Sequence, residues 1–300
     1  FSQYATMLME ANFDAYSPMI KNSIDRFGGS YADSDFHKWT YGANTDWYDE
    51  LLRTAVMTNH SIGISGGSDK STYSLGMSYL AQDGIMDVKN NYKRLNFRAA
   101  IDYDATKWLK VGFNGVFSQS SQILPNNTAW QQAFNTPGLI PVYDNNNENA
   151  KPEKYASPKS IGLSDNFKNP VATANYYSKN DLRQYMTNFY AQLNIVPEKL
   201  TFKTSINYNY QNIDGRTFVP TYYVESNQQS NATSLTKTNT QYNNYIWDNT
   251  LTYKDSFGKH NFGAMLGTSM RQETYKNLWG SAPNVPEGND SYLYLGQGST

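Results

Sequence analysis

One segment of the chain has the spacing of a nucleophile elbow. Gly63-Ile64-Ser65-Gly66-Gly67 fits the pattern G-x-S-x-G, in which the serine of an α/β-hydrolase is exposed on a turn between a strand and a helix. The residues that follow, 73–79, alternate between apolar and polar types, which predicts a second strand and not a helix. We therefore interpret the segment as part of a β-hairpin, and we predict neither a catalytic residue nor enzymatic activity.

Metal-binding residue types are present without the spacing that a metal site needs. The three histidines are far apart and form no H-E-x-x-H motif. Asp144, Asn146 and Glu148 alternate like the first positions of a calcium loop, but the glycine and terminal glutamate of an EF-hand are missing. The chain has no cysteine, which excludes disulfides, thiol catalysis and Cys-ligated zinc or iron–sulfur sites. We predict no metal and no cofactor, and we interpret the 144–148 segment as a solvated loop.

Aromatic and amide side chains in the predicted loops are better candidates for binding. Aromatic faces stack on sugar rings or peptide side chains, and asparagine amides form hydrogen bonds with hydroxyls and peptide groups. The segment 120–181 is rich in both types, and a structureless loop of this length is unusual in a compact domain unless it is functional. The binding candidates are Trp130, Tyr143, Asn126, Trp39, Tyr222 and Trp279. The alternative is that these side chains pack the loops against their neighbours or against a partner protein.

The elements that would position these residues are strands. Apolar and polar types alternate with period two in eight segments, most of them about ten residues long, the length that crosses a bilayer with tilt. The segments lie at 62–64, 73–79, 95–103, 109–117, 189–195, 202–210, 245–253 and 262–270. Residues 1–56 lack this alternation, and the spacing of Ile20 and Ile24 indicates a short helix there.

Short and long connections alternate strictly along the chain. The short ones lie at 66–70, 104–107, 197–199 and 255–259, and the long ones lie at 83–92, 120–181, 214–238 and 274–300. Long loops on one side and short turns on the other are the layout of an outer-membrane β-barrel. A basic residue facing lipid at mid-bilayer costs roughly 2–4 kcal/mol, and charges in the middle of the strands, such as Arg98, Asp102 and Asp248, occupy the polar parity. Lys93 and Arg183 occupy the apolar parity and lie at strand ends.

The composition favours a wet lumen over a soluble sandwich. The chain has 25 basic and 26 acidic residues, so it lacks the excess of positive charge by which a protein binds nucleic acid electrostatically. Charged residues make up 17% of the chain, against about 25% in an ordinary soluble domain. The polar parity is mostly Asn, Ser, Thr, Gln and Gly, whereas a sandwich face in bulk water should be rich in Lys and Glu. No run of 18 apolar residues occurs, so no transmembrane helix is predicted.

A series of short motifs lies in the first part of the chain: Thr45-Asp46-Trp47, Asn59-His60, Ser65-Gly66-Gly67-Ser68, Tyr73, Gly84 and Trp108-Leu109-Lys110, with Glu10-Ala11-Asn12 and Pro18 upstream. With these motifs, the segment 45–85 resembles the SusC/RagA-type TonB-linked outer-membrane transporters. The resemblance covers about residues 1–120 well, and beyond them it is carried mainly by the layout of strands and loops.

The resemblance implies an all-β fold, an antiparallel transmembrane barrel of roughly 22 strands with a plugged lumen, of which this chain would supply about eight strands. Residues 1–56 would be a loop and short-helix segment on the extracellular side. Residues 57–300 would be barrel strands, with the four long connections extracellular and the short turns periplasmic. Because the chain begins at Phe1 and ends in a polar stretch, we expect an internal piece of a longer protein, without the plug domain.

The resemblance also implies a function, the import of nutrient oligomers across the outer membrane of a Gram-negative bacterium by a multi-pass barrel. Energy would come from the TonB complex, and a SusD-like lipoprotein would close over the mouth. Glycans are the first expected cargo and oligopeptides the second, and the six binding candidates would line the substrate vestibule. The expected surroundings are membrane lipid and no nucleic acid. Two alternatives stay open: a secreted β-rich glycan-binding or glycan-degrading protein, and a complete small barrel of eight strands.

Overall fold

All eight alternating segments form strands of one antiparallel sheet in the computed structural model of the chain. The structure describes residues 7, 10–31, 39–40, 43–174, 176–288 and 293–299. The helices are α1 (Phe13–Phe27), α2 (Trp47–Leu51), α3 (Thr128–Asn135) and α4 (Pro170–Ala174). The strands are β1 (Ser30–Tyr31), β2 (Trp39–Thr40), β3 (Met57–Ser68), β4 (Ser71–Asp83), β5 (Asn91–Asp104), β6 (Leu109–Pro125), β7 (Tyr177–Val196), β8 (Leu200–Val219), β9 (Tyr222–Glu225), β10 (Gln228–Ser230), β11 (Ser234–Phe257) and β12 (His260–Pro283). Single 3₁₀ turns occupy Pro158–Ile161 and Leu295–Gln297.

The strand order of the sheet follows the chain. The order is β3-β4-β5-β6-β7-β8-β11-β12, and β9 and β10 form a separate small hairpin. The edge strands β3 and β12 are not paired with each other, so the sheet is open. The predicted all-β, antiparallel fold class is confirmed. Within the described ranges, no helix combines the length and the apolar character needed to cross a membrane.

The two faces of the sheet differ in chemistry, because residues paired across neighbouring strands share a face. The apolar face carries the row Ile101, Phe113, Phe189, Ile206, Trp247 and Met270 from β5 to β12. The polar face carries the adjacent row Asp102, Gly112, Tyr190, Ser205, Asp248 and Ser269. The Tyr190 hydroxyl donates a hydrogen bond to Asp102 across the intervening Gly112, where a Cβ would overlap the tyrosine ring. The glycine is therefore what lets this ring lie across the sheet.

The apolar face is exposed from one edge of the described sheet to the other. Ile62 on β3, Phe189 on β7 and Leu266 on β12 are 70%, 55% and 75% exposed. Neighbouring rings on this face contact one another, as in the pair Phe113 and Phe189, whose centroids are 4.7 Å apart. A continuous apolar surface of this extent marks an interface with lipid or with protein.

Several strands extend beyond the alternating pattern that revealed them. β6 continues to Pro125 and β7 begins at Tyr177, so the connection between them is 126–176, shorter than the predicted 120–181. β8, β11 and β12 likewise extend into the predicted loops 214–238 and 274–300, and β11 and β12 reach 24 residues each. At these ends polar residues occupy both faces, as in 236–241. Backbone pairing does not need apolar side chains, so the strand continues where the alternation stops.

The connection 126–176 is not structureless. Together with α1, α2 and the β9–β10 hairpin it forms a small packed unit, which we call the cap (residues 13–27, 47–51, 126–174 and 222–230). Its buried apolar side chains include Ile20 and Ile24 of α1, Trp47 and Leu51 of α2, Ala129 and Ala133 of α3, Leu139, Ile140, Ile161 and Val224. The cap therefore has a hydrophobic core of its own, at the end of the sheet where the long connections lie.

Candidate functional site

Helix α2 is joined to the cap through the Thr45-Asp46-Trp47 motif. The Thr45 hydroxyl donates to the Ile140 carbonyl at 2.6 Å, and the Trp47 indole N–H donates to the Pro137 carbonyl at 3.3 Å. Asp46 caps the helix by accepting from the backbone N–H groups of residues 48 and 49 at 3.0 and 3.3 Å. The motif on which the resemblance rests is thus the contact that holds α2 against the long connection.

A fully buried asparagine fixes the centre of the cap. The Asn169 side-chain amide donates to the carbonyls of Val142 and Ala156 at 2.9 and 3.1 Å, and its side-chain oxygen accepts from Ala172 N–H at 3.2 Å. The Asn169 backbone N–H donates to Gln228 Oε1 at 2.9 Å, and the Gln228 amide donates back to the Asn169 carbonyl at 2.8 Å. This network joins three parts of the connection to strand β10. A buried polar network that is satisfied in this way fixes one arrangement of the chain.

Asp144 departs from the predicted solvated loop at 144–148, in which residues 145, 146 and 148 are exposed as expected. Its side chain is 3% exposed and accepts from Arg26 of α1, with Nη2–Oδ2 and Nε–Oδ2 distances of 2.6 and 2.7 Å. Asp144 Oδ1 also accepts from the Asn146 N–H at 2.9 Å. The sequence could not show this contact because Arg26 and Asp144 are 118 residues apart. Within the described part of the chain, no group of three His, Cys, Asp or Glu side chains is placed to hold a metal ion.

A second charged cluster lies on the surface of the cap. Lys159 Nζ lies 2.6 Å from Asp165 Oδ1, and this hydrogen bond raises the pKa of Lys159 and lowers the pKa of Asp165. The buried Glu225 accepts from the Ser157 hydroxyl and from the Lys159 backbone N–H. The lysine and the aspartate are thereby held in their charged forms. The cluster fastens β9 to the connection.

Trp130 lies at a cavity between the cap and the sheet. The cavity has a volume of about 390 Å³, and its lining includes Tyr92, Gln122, Asn90 and Asn127. Tyr92 and Gln122 are paired across β5 and β6 on the polar face. The Trp130 ring is half-buried and contacts Tyr48 at a centroid distance of 5.9 Å. With Gln82 and Asn91, this arrangement places two aromatic faces and five amide side chains around one cavity, the groups that recognise sugars or peptides.

The other candidates have individual surroundings. Asn126 Oδ1 accepts from the Thr128 N–H at 3.1 Å in the turn that precedes helix α3. Tyr143 is 54% exposed and stacks on Tyr155 at 5.5 Å. Tyr222 stacks on Tyr176 at 6.2 Å, and burial raises the pKa of both phenols. The structure thus brings Trp130, Tyr143, Asn126 and Tyr222 together in the cap.

Trp279 lies apart from these four residues. It is 69% exposed on β12, where it pairs with Thr238 and belongs to the polar face. Trp39 lies in strand β2, and its side chain is outside what the structure describes. The six candidates therefore do not form one continuous site in the described part of the molecule.

The polar face carries a further cleft that the sequence did not single out. It has a volume of about 530 Å³ and is lined by amides, among them Asn114, Asn188, Asn207, Asn209 and Asn244, together with Arg98. Asn188 Nδ2 donates to Asn207 Oδ1 at 2.6 Å, whereas the buried side-chain oxygens of Asn209 and Asn244 have no hydrogen-bond donor among the residues that the structure describes. Unsatisfied buried acceptors are a site where a bound donor gains a hydrogen bond at no further desolvation cost to the protein. The sequence signal was the abundance of Asn on the polar parity.

Comparison with known proteins finds TonB-dependent receptors that are similar in sequence to the chain. No family model matches the chain. TonB-dependent receptor P3 of Formosa agariphila is 27% identical over 307 residues, which cover 97% of this chain and 29% of that receptor. TonB-dependent receptor SusC of Bacteroides thetaiotaomicron is 31% identical over 107 residues, 34% of this chain and 10% of that receptor. The chain thus spans less than a third of the length of these relatives.

Solved structures share the fold. The RagAB peptide importer in its closed-closed state superposes with a TM-score of 0.68 at 21% identity, covering 92% of this chain and 30% of that chain. A further structure of the RagAB peptide transporter gives a TM-score of 0.70 at 19% identity, covering 95% of this chain and 32% of that chain. These likenesses show that the sheet and the cap share the fold of the RagAB transporter. The chain is therefore similar in sequence to TonB-dependent receptors, SusC among them, and similar in fold to the RagAB transporter.

Proposed function

We propose that the chain forms part of the wall and mouth of an outer-membrane importer of nutrient oligomers. The observation that carries the proposal is the exposed apolar face, which runs from β3 to β12. In a secreted glycan-binding or glycan-degrading protein this surface would face water at a large cost in free energy. Against lipid the same surface is satisfied, and the polar face then lines the lumen.

The height of the apolar band supports this orientation. The band on β6 extends from Leu109 to Phe117. At a rise of about 3.4 Å per residue and a tilt of about 45°, this stretch is about 20 Å tall, near the roughly 25 Å apolar band of outer-membrane barrels. Beyond Phe117 the strands continue with polar residues on both faces, so they extend past the membrane on the side of the cap. We therefore assign the cap and the other long connections to the extracellular side and the short turns to the periplasm.

The mechanism that we propose is binding followed by displacement, with no covalent chemistry. Cargo binds between the cap and the polar face, where the Trp130 cavity and the amide-lined cleft offer stacking surfaces and hydrogen-bonding groups. A SusD-like lipoprotein closes over the mouth, and the TonB complex supplies the energy that opens the path through the lumen. Glycans are the proposed cargo, with oligopeptides as the alternative, and both chemistries suit aromatic and amide side chains.

Uptake by cells that carry the full-length protein tests this function. Fluorescent oligosaccharides and oligopeptides of graded length are supplied to cells with and without TonB, and accumulation inside the outer membrane is measured. We expect TonB-dependent uptake of at least one cargo class. Uptake that is equal without TonB, or no uptake of any oligomer by cells whose outer membrane contains the protein, would contradict the proposal.

A further inference from the structure

The charged residues of the apolar face are distributed unevenly along the strands. In the eight strands of the sheet, this face carries six basic residues, and all of them lie beyond the apolar band at the end next to the cap. They are Lys93, Lys179, Arg183, Arg216, Lys237 and Lys276, and three acidic residues, Asp83, Asp181 and Asp214, lie among them. At the short-turn end of these strands, Asp255 is the only charged residue (Lys, Arg, Asp or Glu) on the same face. The excess of positive charge is therefore confined to one end of the outward surface, which we call the basic belt.

The belt begins directly above a row of aromatic residues. Tyr185 and Tyr210 are paired across β7 and β8 at the upper limit of the apolar band, with ring centroids 5.7 Å apart. Arg183 lies in the next row on the same face, and the row of Lys179 lies two rows higher. Aromatic side chains followed by basic ones are the order in which interfacial and headgroup contacts follow the hydrocarbon region. The belt spans about 14 Å along the strand from Arg183 to Lys179, which is more than one phosphate group needs.

The strongest concentration of charge is a row of three cations across three strands. Lys179 on β7 pairs with Arg216 on β8, and Arg216 pairs with Lys237 on β11. The row lies in a cleft of about 410 Å³ whose lining also includes Leu278 and Leu295. This site therefore offers cations and aliphatic surface together, the two features that a lipid headgroup and its acyl chains require.

The acidic side chains of this cleft are already engaged. Asp181 Oδ2 accepts from Lys179 Nζ at 3.1 Å, and Asp214 Oδ1 accepts from Asn239 Nδ2 at 2.5 Å. Lys237 Nζ lies 5.0 Å from the centroid of the Tyr294 ring, a contact that keeps its positive charge. The carboxylates weaken the attraction for anions without cancelling it, because the three cations occupy one row and the two carboxylates occupy the row below.

We propose that the basic belt binds a phosphorylated glycolipid of the outer leaflet, with its phosphate on the row Lys179, Arg216 and Lys237. The height of the belt suits a large sugar headgroup that carries phosphate. Leu278 lies on the side of the cleft that is nearer to the apolar band. The proposal goes beyond cargo import and rests on the membrane placement proposed above. In this proposal the basic residues take no part in cargo binding. They bind lipid and so fix the height of the barrel wall in the outer leaflet.

Lipid retention by the full-length protein tests this site. The triple variant Lys179→Gln, Arg216→Gln, Lys237→Gln is compared with the wild type and with a matched control, Arg94→Gln, Arg98→Gln, Lys203→Gln, which removes three cations from the polar face. Detergent-purified proteins are titrated with lipid A and with dephosphorylated lipid A, and bound lipid is counted by native mass spectrometry. Each surface cation contributes about fivefold to affinity for an anionic headgroup. We expect at least fivefold weaker binding of lipid A by the triple variant, the contribution of a single surface cation, and unchanged binding by the control.

The outcomes separate this inference from the proposed function. Equal binding of lipid A by the wild type and the triple variant, or equal binding of the dephosphorylated lipid by the wild type, would overturn the lipid site alone. Absence of the wild type from the outer-membrane fraction of cells would overturn the placement and the lipid site together. Selective loss in the triple variant, with the control unchanged, supports the site.

Discussion

At the residue scale, the polar groups that matter most in the cap are buried and do not face solvent. Asn169 and Gln228 form a closed set of hydrogen bonds, and Asp144 is paired with Arg26. Buried polar groups of this kind contribute little net stability when satisfied but are costly to leave unpaired. They therefore define which loop conformation is compatible with a packed cap, and so where the neighbouring aromatic side chains point.

Replacement of Asn169 by Ala should loosen the cap and leave the sheet intact. The change leaves the Ala156 carbonyl and the Ala172 N–H without their partner, at a cost of about 3 kcal/mol, since each buried unsatisfied group costs about 1–3 kcal/mol. The Val142 carbonyl loses one of its two donors and keeps the Ala156 N–H at 3.0 Å. Hydrogen exchange of the purified full-length protein should show amides in 139–161 exchanging roughly 100-fold faster, with the amides of β6 and β7 unchanged. Asn145→Ala, an exposed position in the same connection, is the control and should show wild-type exchange. Unchanged exchange in the Asn169 variant would contradict the structural role assigned to this side chain.

The cavity at Trp130 gives a second prediction at this scale. Trp130→Ala combined with Tyr92→Ala should weaken cargo binding about tenfold or more, because each stacking ring is worth roughly 0.5–1.5 kcal/mol beyond its buried area. Calorimetry with the complex of transporter and lipoprotein, using a cargo identified by the uptake experiment, measures the change. Phe134→Ala is the matched control, because this ring lies on the same helix and is 78% exposed. Binding that is equal in the double variant and the control would remove the cavity from the cargo path.

At the element scale, adjacent residues of one strand should tolerate the same substitution very differently. Phe113 lies on the apolar face and contacts Phe189, whereas Asn114 lies on the polar face in the amide-lined cleft. Phe113→Arg places a charge against lipid near mid-bilayer, at roughly 2–4 kcal/mol, and should reduce the amount of full-length protein in the outer membrane. Asn114→Arg should insert normally. Immunoblots of fractionated cells compare the two variants, with Leu266→Arg on β12 as a second apolar-face variant, and equal levels of all three would argue against a lipid-facing surface.

The sheet was readable from the sequence and the cap was not, for physical reasons. A strand with one face toward water and the other toward apolar surroundings must alternate polar and apolar residues. The period of two in segments such as 95–103 and 202–210 therefore reveals these surroundings. The ends of β11 and β12 have polar surroundings on both sides and lose that signal. In the cap, Asn169 lies 59 residues from Gln228 and Asp144 lies 118 residues from Arg26, so their burial depends on partners that no local pattern reveals. Trp130 was found from its residue type, but its neighbour Tyr92 required the strand register.

At the scale of the whole molecule, different interactions stabilise the sheet and the cap. The sheet is held by continuous backbone pairing of eight strands, while the cap is held by a hydrophobic core drawn from its own four segments and from Met86 in the connection between β4 and β5. The two units meet where Pro125 and Tyr177 lie opposite each other at the last pairing of β6 and β7. A wall that is independent of the unit above it can keep its place in the membrane while that unit changes to suit a different cargo.

Removal of the connection tests this separation. Replacing 126–176 by an Asn-Gly turn joins two strand ends that are already paired, in the turn type that hairpins favour. We expect wild-type amounts of the full-length variant in the outer membrane. The remaining cap residues should become sensitive to protease, because Ile20 of α1, Trp47 of α2 and Val224 of β9 lose their packing partners together. Uptake of cargo should fall sharply, since the variant lacks Trp130 and the amides around it. Loss of the protein from the membrane would mean that the cap supports the wall, and normal uptake would mean that the cap takes no part in capture.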